Sequence, residues 1–316
     1  SGSLGGGAAA GGSPHPSHHG SEPDLNLAKS AKQGVEVVKR LIANLTYVEM
    51  SVVKATAPTD GPPKRKHTRR LVEESWRHPR TAPVETMVAL ARCPLLNSPV
   101  TTLKVLSTVH ELMQQGSPAV LPASCQWLDH FVLVESHWGP DQMGAEFGLV
   151  SVCAPLIVAY AAMLAAKAKF HAGFEAFENN YSFDAGCAAT AAATAIVGGS
   201  YGTGTGTGSG LRLGGLAGGG AWARTEAEGA AGPVSPPALS AMLTLGRRCR
   251  LALDVAADIL PRDPPLAALQ WHRLVAHVGK LVAVEAHLLH GAAVYVAATL
   301  AEQGAAVGAA AGATAG

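Results

Sequence analysis

Apolar residues recur every three or four positions along most of this chain, and strand-like alternation of apolar and polar residues is nearly absent. Such a period places the apolar side chains on one face of an α-helix. The pattern begins at 24–42, where Asp24 can cap the helix. A second helix is predicted at about 46–56 and a third is opened by Lys64; further helices are predicted at 81–93, 99–115, 142–172, 238–259 and 267–303. The sequence therefore predicts an all-α protein, built as an antiparallel helical array.

The composition fits helices packed through small side chains. The chain has 316 residues, of which 48% are apolar and only 5% are aromatic, and that length allows one sizeable core or two modest ones. The cysteines are scattered and form no Cys-x-x-Cys pair: Cys93, Cys125, Cys153, Cys187 and Cys249. This spacing argues against a disulfide framework or a zinc site and fits a reducing compartment.

Low-complexity segments divide the chain. Residues 1–22 are rich in Gly, Ala, Ser, Pro and His, residues 304–316 are rich in Gly and Ala, and both are predicted to be disordered. The helical domain is predicted at 24–303, interrupted by a flexible Gly/Thr-rich insertion at about 186–237. No Gly-Lys-Ser/Thr follows its glycines, so a phosphate-binding loop is not indicated. The chain lacks an initiator Met and a signal pattern, and we expect it to be part of a longer protein.

The uncharged stretch 149–166 is 18 residues long, which is the lower limit for a membrane span. It is rich in alanine, contains Pro155 and is followed at once by Lys167. Because alanine is only weakly hydrophobic, the sequence favours a buried core helix over a transmembrane segment.

A basic cluster interrupts this nearly neutral chain, whose net charge is +1. Residues 54–70 contain six Lys or Arg and one His against a single acid, Asp60. Lys54 lies near the end of one predicted helix, and Lys64, Lys66 and His67 open the next. A helix N-terminus favours anions, and lysine suits phosphate, so the cluster predicts a phosphoinositide head-group site. His67 would bind best when protonated, which gives a mild preference for acid.

Other interpretations of the run 64–70 remain open. A charge run is often a solvated helix face, which would leave a helical protein-interaction scaffold without lipid binding. Pro63-Lys64-Arg65-Lys66-His67 also fits a nuclear or RNA-associated module. Nucleic-acid surfaces, however, spread their charge and add aromatic residues, whereas the nearest here are Tyr47 and Trp76. Nucleic acid is therefore not the expected partner.

Lys54, nine residues and then Lys64-Arg65-Lys66-His67 resemble the recognition pattern of the ANTH domain of clathrin-assembly proteins. A second block, 100–106 followed by His110-Glu111-Leu112-Met113 and Gly116, is similar to a helix of the same family. A third, 167–171 with 177–184, resembles the actin-linking branch of the family. Residues 238–303 match it by helical character alone.

The resemblance implies an α-solenoid or superhelix that binds phosphatidylinositol 4,5-bisphosphate through Lys54, Lys64, Lys66 and His67, with Arg65 as an auxiliary charge. It implies a membrane adaptor of clathrin-mediated endocytosis, peripheral at the plasma membrane and at clathrin-coated pits and vesicles. Contacts to clathrin and adaptor proteins would come from flanking sequence.

No enzyme is predicted, and no catalytic residue, metal ligand or cofactor is assigned. The histidines lack HExxH spacing, and no Gly-x-Ser-x-Gly elbow occurs. Glu285 with His287 and His290 could share a local patch, but solvated or hydrogen-bonded side chains are the expectation there.

Overall fold

The computed structural model describes residues 45–59, 61–140, 148–183, 233–260 and 269–314. The predicted helix at 24–42 and the insertion up to residue 232 lie outside the described residues. The described part contains nine helices: α1 (Tyr47–Thr56), α2 (Arg65–Arg77), α3 (Ala82–Ala91), α4 (Pro99–Gln115), α5 (Val120–Cys125), α6 (Leu128–His137), α7 (Gly148–Gly173), α8 (Pro236–Ile259) and α9 (Leu269–Thr314). No strand occurs in these ranges, so the all-α prediction is confirmed.

Helix α4 is the centre of the bundle. It packs against α1, α2, α5, α7 and α9, and most of its residues are buried. Its apolar side chains Leu103, Leu106 and Val109 have no exposed surface. A helix covered on all sides gains apolar burial along its whole length, which is why its sequence lacks a polar stripe.

Local capping signals set several helix starts. Thr46 and Glu49 form a capping box at α1, in which each side chain accepts a hydrogen bond from the other residue's backbone N–H. Ser98 caps α4 and is followed by Pro99 at the first helical position. Ser235 caps α8, so Pro236 and Pro237, which the sequence analysis places in the insertion, begin that helix.

Helices α5 and α6 were not predicted. They occupy Val120–Cys125 and Leu128–His137, where the apolar pattern is short and Pro122 stands inside the first of them. Tertiary packing stabilises them, because Val120, Phe131 and Val134 are completely buried. Short segments of this kind depend on such contacts since their own helix propensity is marginal.

Helix α7 is the buried helix that the sequence favours at 149–166. Its part Val152–Gly173 is long and apolar enough to cross a membrane by length and composition, but 72% of that window is buried inside the protein. Leu156, Ile157 and Tyr160 have no exposed surface. This helix therefore serves as a core element of the bundle.

Helix α9 extends further than predicted. His272–Ala309 also passes the length and composition test for a span, with 22% of the window buried. Residues 304–314, which the composition predicts to be disordered, continue the helix to Thr314. Alanine has the highest helix propensity, so a Gly/Ala-rich segment can extend a helix that packing has already started.

Candidate functional site

The structure brings the predicted site residues together where α1 ends and α2 begins. Lys54 lies in the last turn of α1, Lys64 is the N-cap residue of α2, and Lys66 lies in its first turn. All three are exposed. The side chain of Lys64 makes no capping hydrogen bond. A helix start with lysines in place of a capping oxygen leaves N–H groups and positive charge directed at the same point.

His67 lies beneath these lysines and is buried, with 4% of its surface exposed. Among the described residues, its Nδ1 atom has no hydrogen-bond partner. Burial lowers the pKa of His67, and the positive charges of Lys66, Arg70, Lys54 and Lys64 lower it further. The imidazole is thus neutral at neutral pH and retains an unsatisfied ring nitrogen, a costly arrangement that a bound ligand could relieve. We call Lys54, Lys64, Lys66 and His67 the basic cluster.

A buried lysine holds the connection between the two helices. Lys104 of α4 is 1% exposed, and its Nζ atom donates to the carbonyl oxygen of Ala57 at 2.7 Å and to Thr59 Oγ1 at 3.0 Å. Gly61 follows with φ of 120°, a backbone conformation that favours glycine. These contacts fix the spacing between Lys54 and Lys64. In the sequence, Lys104 is part of the second motif. A lysine between Leu103 and Val105 indicates a buried lysine with hydrogen-bond partners, and this signal could have identified it.

Arg65 occupies a different edge of α2 from Lys66. Arg65, Arg69 and Trp76 are four and seven residues apart, which places them on one stripe of the helix. Lys66, Arg70 and Arg77 share the neighbouring stripe by the same spacing. The pKa of His67 responds to Lys66 and Arg70 of that second stripe. The helix thus separates its basic residues into two groups.

Residues of the second and third motifs form a buried ion cluster at another place in the bundle. It consists of Glu285 of α9, Lys167 of α7, His110 and Gln114 of α4, and Tyr181. The Glu285 carboxylate accepts from Lys167 Nζ at 2.5 Å, His110 Nε2 at 3.1 Å, Gln114 Nε2 at 2.9 Å and the Tyr181 hydroxyl. Glu285, Lys167 and His110 have no exposed surface. His287 and His290, considered with Glu285 from the sequence, are exposed instead.

This cluster supplies hydrogen-bond partners for each charge that it buries: donors for the Glu285 carboxylate and acceptors for the Lys167 ammonium group. Burial alone would raise the pKa of Glu285, but the Lys167 charge and the hydrogen bonds from His110 and Lys167 hold it well below its usual range. Burial raises the pKa of Tyr181 and Tyr160, so both hydroxyls keep their protons. His110 Nδ1 lies 3.0 Å from the Tyr160 hydroxyl, which leaves Nε2–H to donate to Glu285. Satisfied buried charges of this kind connect helices rather than bind ligands.

Residues of the second motif hold other parts of the fold in place. Lys104 supports the α1–α2 connection, and His110 enters the buried ion cluster. Gly116 ends α4 where a Cβ atom would lie 2.5 Å from the Leu112 carbonyl oxygen. Its own carbonyl accepts from Asn179 Nδ2 at 2.8 Å. A glycine is required at this close approach.

Comparison with known proteins agrees with the fold and with the order of the motifs. Residues 47–194 match the family model of the ANTH domain. This part of the chain, which contains the basic cluster and the central helix, thus matches the family whose motif spacing it resembles.

Two curated fungal proteins match shorter segments. Endocytosis protein end4 of Schizosaccharomyces pombe is 38% identical over 71 residues, which are 22% of this chain and 6% of that protein. Protein SLA2 of Saccharomyces cerevisiae is 28% identical over 132 residues, which are 42% of this chain and 12% of that protein. The chain thus matches a small part of the length of either relative.

A solved structure shares the helical fold. The ENTH domain from epsin-2, determined in complex with phosphatidylinositol 4,5-bisphosphate, superposes with a TM-score of 0.55 at 17% sequence identity. The match covers 80% of this chain and 80% of that one. It supports the fold, with helices arranged as in that ENTH domain.

Proposed function

We propose that this protein is an endocytic membrane adaptor that binds phosphatidylinositol 4,5-bisphosphate through its basic cluster. Lys54, Lys64, Lys66 and His67 contact the head-group phosphates, and Arg65 adds an auxiliary charge towards the membrane. Two lysines on one side of the connection and one on the other can reach two phosphates of one inositol ring. Lysine ammonium groups act as compact point charges for phosphate.

The observation that carries this proposal is a set of positive charges without acidic partners, placed above a buried imidazole nitrogen without a hydrogen bond. Within the described ranges, Lys54, Lys64 and Lys66 form no ion pair, whereas Arg69 and Arg77 of the same helix bind Glu73 and Glu74. Leaving a buried polar atom unsatisfied costs free energy, which a phosphate oxygen would recover by accepting a hydrogen bond from protonated Nδ1 of His67. The site therefore combines the positive charge and the unsatisfied hydrogen-bonding group that are typical of an anion-binding surface.

The biological setting follows from the relatives. One matched protein is named for endocytosis, and the structural neighbour was determined with the bisphosphate lipid. We infer that the protein acts at the cytoplasmic face of the plasma membrane and at clathrin-coated pits and vesicles. It would recruit clathrin and adaptor proteins through sequence flanking the helical domain, and it would do so without catalysis. Attachment through one head group and a few lysines is reversible, and many copies on one coat strengthen it.

Liposome sedimentation tests the proposal. The wild-type chain is compared on neutral liposomes, on liposomes with phosphatidylinositol 4,5-bisphosphate and on phosphatidylserine liposomes of equal charge. The Lys64→Gln/Lys66→Gln variant removes two exposed cluster charges. Its matched control is Arg69→Gln/Arg80→Gln, which removes two exposed charges elsewhere on the same helix and the turn that follows it. His67 stays intact because it is buried, and its replacement could disturb packing.

We expect preference for the bisphosphate lipid in the wild type and in the control. The cluster variant should bind roughly 10- to 30-fold more weakly, since each basic residue near an anionic surface contributes about 1 kcal/mol. Equal binding to both anionic liposomes would reduce the cluster to nonspecific electrostatics. Absence of binding to every liposome would favour a helical interaction scaffold instead.

A further inference from the structure

Arg70 lies one helical turn beyond Lys66, on the same exposed edge of α2. The two residues are four positions apart, so their side chains leave the helix in nearly the same direction. Arg70 is also three positions after His67, the buried imidazole of the basic cluster. Its position therefore continues the cluster along the surface between α1 and α2.

An aromatic ring holds the Arg70 guanidinium. Its Cζ atom lies 5.8 Å from the centre of the Tyr47 ring, at the start of α1. A cation over an aromatic face is attracted by the ring quadrupole, and a planar guanidinium stacks well. This contact directs Arg70 towards α1, the helix that also carries Lys54.

Among the described residues, no carboxylate pairs with Arg70, in contrast to Arg69 and Arg77 of the same helix. Arg69 Nε lies 2.8 Å from Glu73 Oε1, and Glu74 is within ion-pair distance of Arg77 and His78. For Arg70 the described residues supply the Tyr47 ring and no ion pair. The described part of α2 thus pairs Arg69 and Arg77 with acids, whereas Arg70 meets an aromatic ring instead.

We propose that Arg70 is a fifth anion-binding residue of the basic cluster and that Tyr47 positions its guanidinium. This inference rests on the proposed function and extends it. The guanidinium offers a planar fork of donors that matches phosphate oxygens, which the lysines do not. The cluster then combines three flexible lysine ammonium groups with one oriented, bidentate guanidinium. This combination favours a phosphorylated ring over a surface with diffuse negative charge.

The test measures binding of soluble inositol 1,4,5-trisphosphate by isothermal titration calorimetry, which removes the general attraction of a charged membrane. Arg70→Gln is compared with Arg69→Gln, which makes the same charge change one residue away. Arg80→Gln serves as a second control, since this exposed residue lies beyond the end of α2. We expect about fivefold weaker binding for Arg70→Gln, and less than a twofold change for either control.

The role of Tyr47 is tested by Tyr47→Leu in the wild-type and Arg70→Gln backgrounds, with thermal melting as the check on folding. We expect a two- to threefold loss of affinity in the first background and none in the second. Equal affinities for Arg70→Gln and Arg69→Gln, with a wild type that binds, would overturn the role of Arg70 and leave the proposed function standing. A wild type that binds neither inositol 1,4,5-trisphosphate nor bisphosphate liposomes would overturn both.

Discussion

Lysine and histidine serve opposite purposes in two regions of this protein. In the buried ion cluster, Lys167 and His110 donate to the Glu285 carboxylate, with every one of these side chains excluded from solvent. In the basic cluster, Lys64 and Lys66 are exposed, and the described residues leave one nitrogen of His67 unpaired. The difference lies in where the negative partner comes from. The fold supplies it in the first region, whereas the second is left for a ligand to complete.

This difference also separates stability from binding. A satisfied buried charge holds helices in register, and removing one partner leaves the other charge stranded in a medium of low dielectric. An exposed charge is solvated by water and adds little to folding, but it remains available to a phosphate. If the two regions are independent, substitutions in the buried ion cluster should change stability, and substitutions in the basic cluster should change affinity.

The largest effect is expected for Lys167→Met in the buried ion cluster. The variant leaves the Glu285 carboxylate buried without its countercharge, so we expect a loss of about 3–5 kcal/mol in the free energy of unfolding. Urea denaturation followed by circular dichroism measures it. Lys280→Met, at an exposed position of α9, is the control and should change stability by less than about 0.5 kcal/mol. Similar losses for the two variants would show that the ion cluster is not a special anchor.

Acidification is expected to act on the two regions with opposite sign. His171 of α7 is buried, and its ring stacks on that of Tyr181 in the buried ion cluster. Burial lowers the pKa of His171 to about 3, and it also lowers the pKa of His110. Below about pH 6.5 these histidines are protonated in the unfolded chain but remain neutral in the folded protein. The free energy of unfolding therefore falls as the pH drops below about 6.5. At pH 5 the His171 contribution alone amounts to roughly 2 kcal/mol, and His110 adds to it. Denaturation curves between pH 7 and pH 5 measure this loss.

Head-group affinity should rise over the same interval. The pKa of His67 is lowered in the free protein by burial and by the cationic neighbours Lys66, Arg70, Lys54 and Lys64. A bound polyanion offsets that repulsion and raises the pKa, so binding takes up a proton and strengthens as the pH falls towards the pKa of the free protein. An affinity for inositol 1,4,5-trisphosphate that is independent of pH would remove His67 from the binding step.

Lys104 is expected to contribute to both stability and binding, because it is a buried lysine that supports the connection between the two helices of the basic cluster. Lys104→Met leaves the Ala57 carbonyl without this donor, at an expected cost of about 1–3 kcal/mol in stability. The loosened connection should also lower head-group affinity several-fold, although Lys104 is buried beneath that connection. Melting curves and calorimetric titration of the same sample check both effects. Unchanged affinity at reduced stability would show that the connection keeps its shape without the lysine.

The smallest effect on folding is expected for Lys64→Gln/Lys66→Gln. Both side chains are exposed and lack ion pairs among the described residues, so the free energy of unfolding should change by less than about 0.5 kcal/mol. Slight stabilisation is the favoured direction, since the change relieves repulsion at a helix N-terminus. Marked destabilisation would mean that these lysines hold the fold, and the loss of lipid binding could then no longer be assigned to the site.

Much of the helical framework could be read from the sequence. Helix α4 matches its predicted range 99–115, because Ser98, Pro99 and Gly116 mark its ends by local chemistry. The start of α2 is predicted by the same reasoning from Pro62 and Pro63. Helices α5 and α6 were missed, since packing and not periodicity decides them. The end of α9 was placed too early because a Gly/Ala composition suits both a tail and a helix.

The candidate site was predicted in part. The spacing of Lys54 and Lys64 indicates that they meet, and the structure places them at adjoining helix ends. The resemblance implied Arg65 as the auxiliary charge, whereas the charge of Arg70 is among those that lower the pKa of His67. The sequence placed Lys104 in a motif but did not indicate its contacts with Ala57 and Thr59. Both omissions concern side-chain direction and long-range contact, which a local pattern leaves undetermined.

By itself, the sequence determined the helical class, most helix boundaries and the resemblance to the ANTH family, whose model residues 47–194 match. These depend on periodicity, caps and spacing, all of which act over a few neighbouring residues. The tertiary structure decided which charges are satisfied internally and which remain available to a ligand. Glu285 lies 118 residues from Lys167 along the chain and meets it at 2.5 Å. Such pairings arise only when the helices pack, because burial and electrostatic partnership are properties of the assembled bundle.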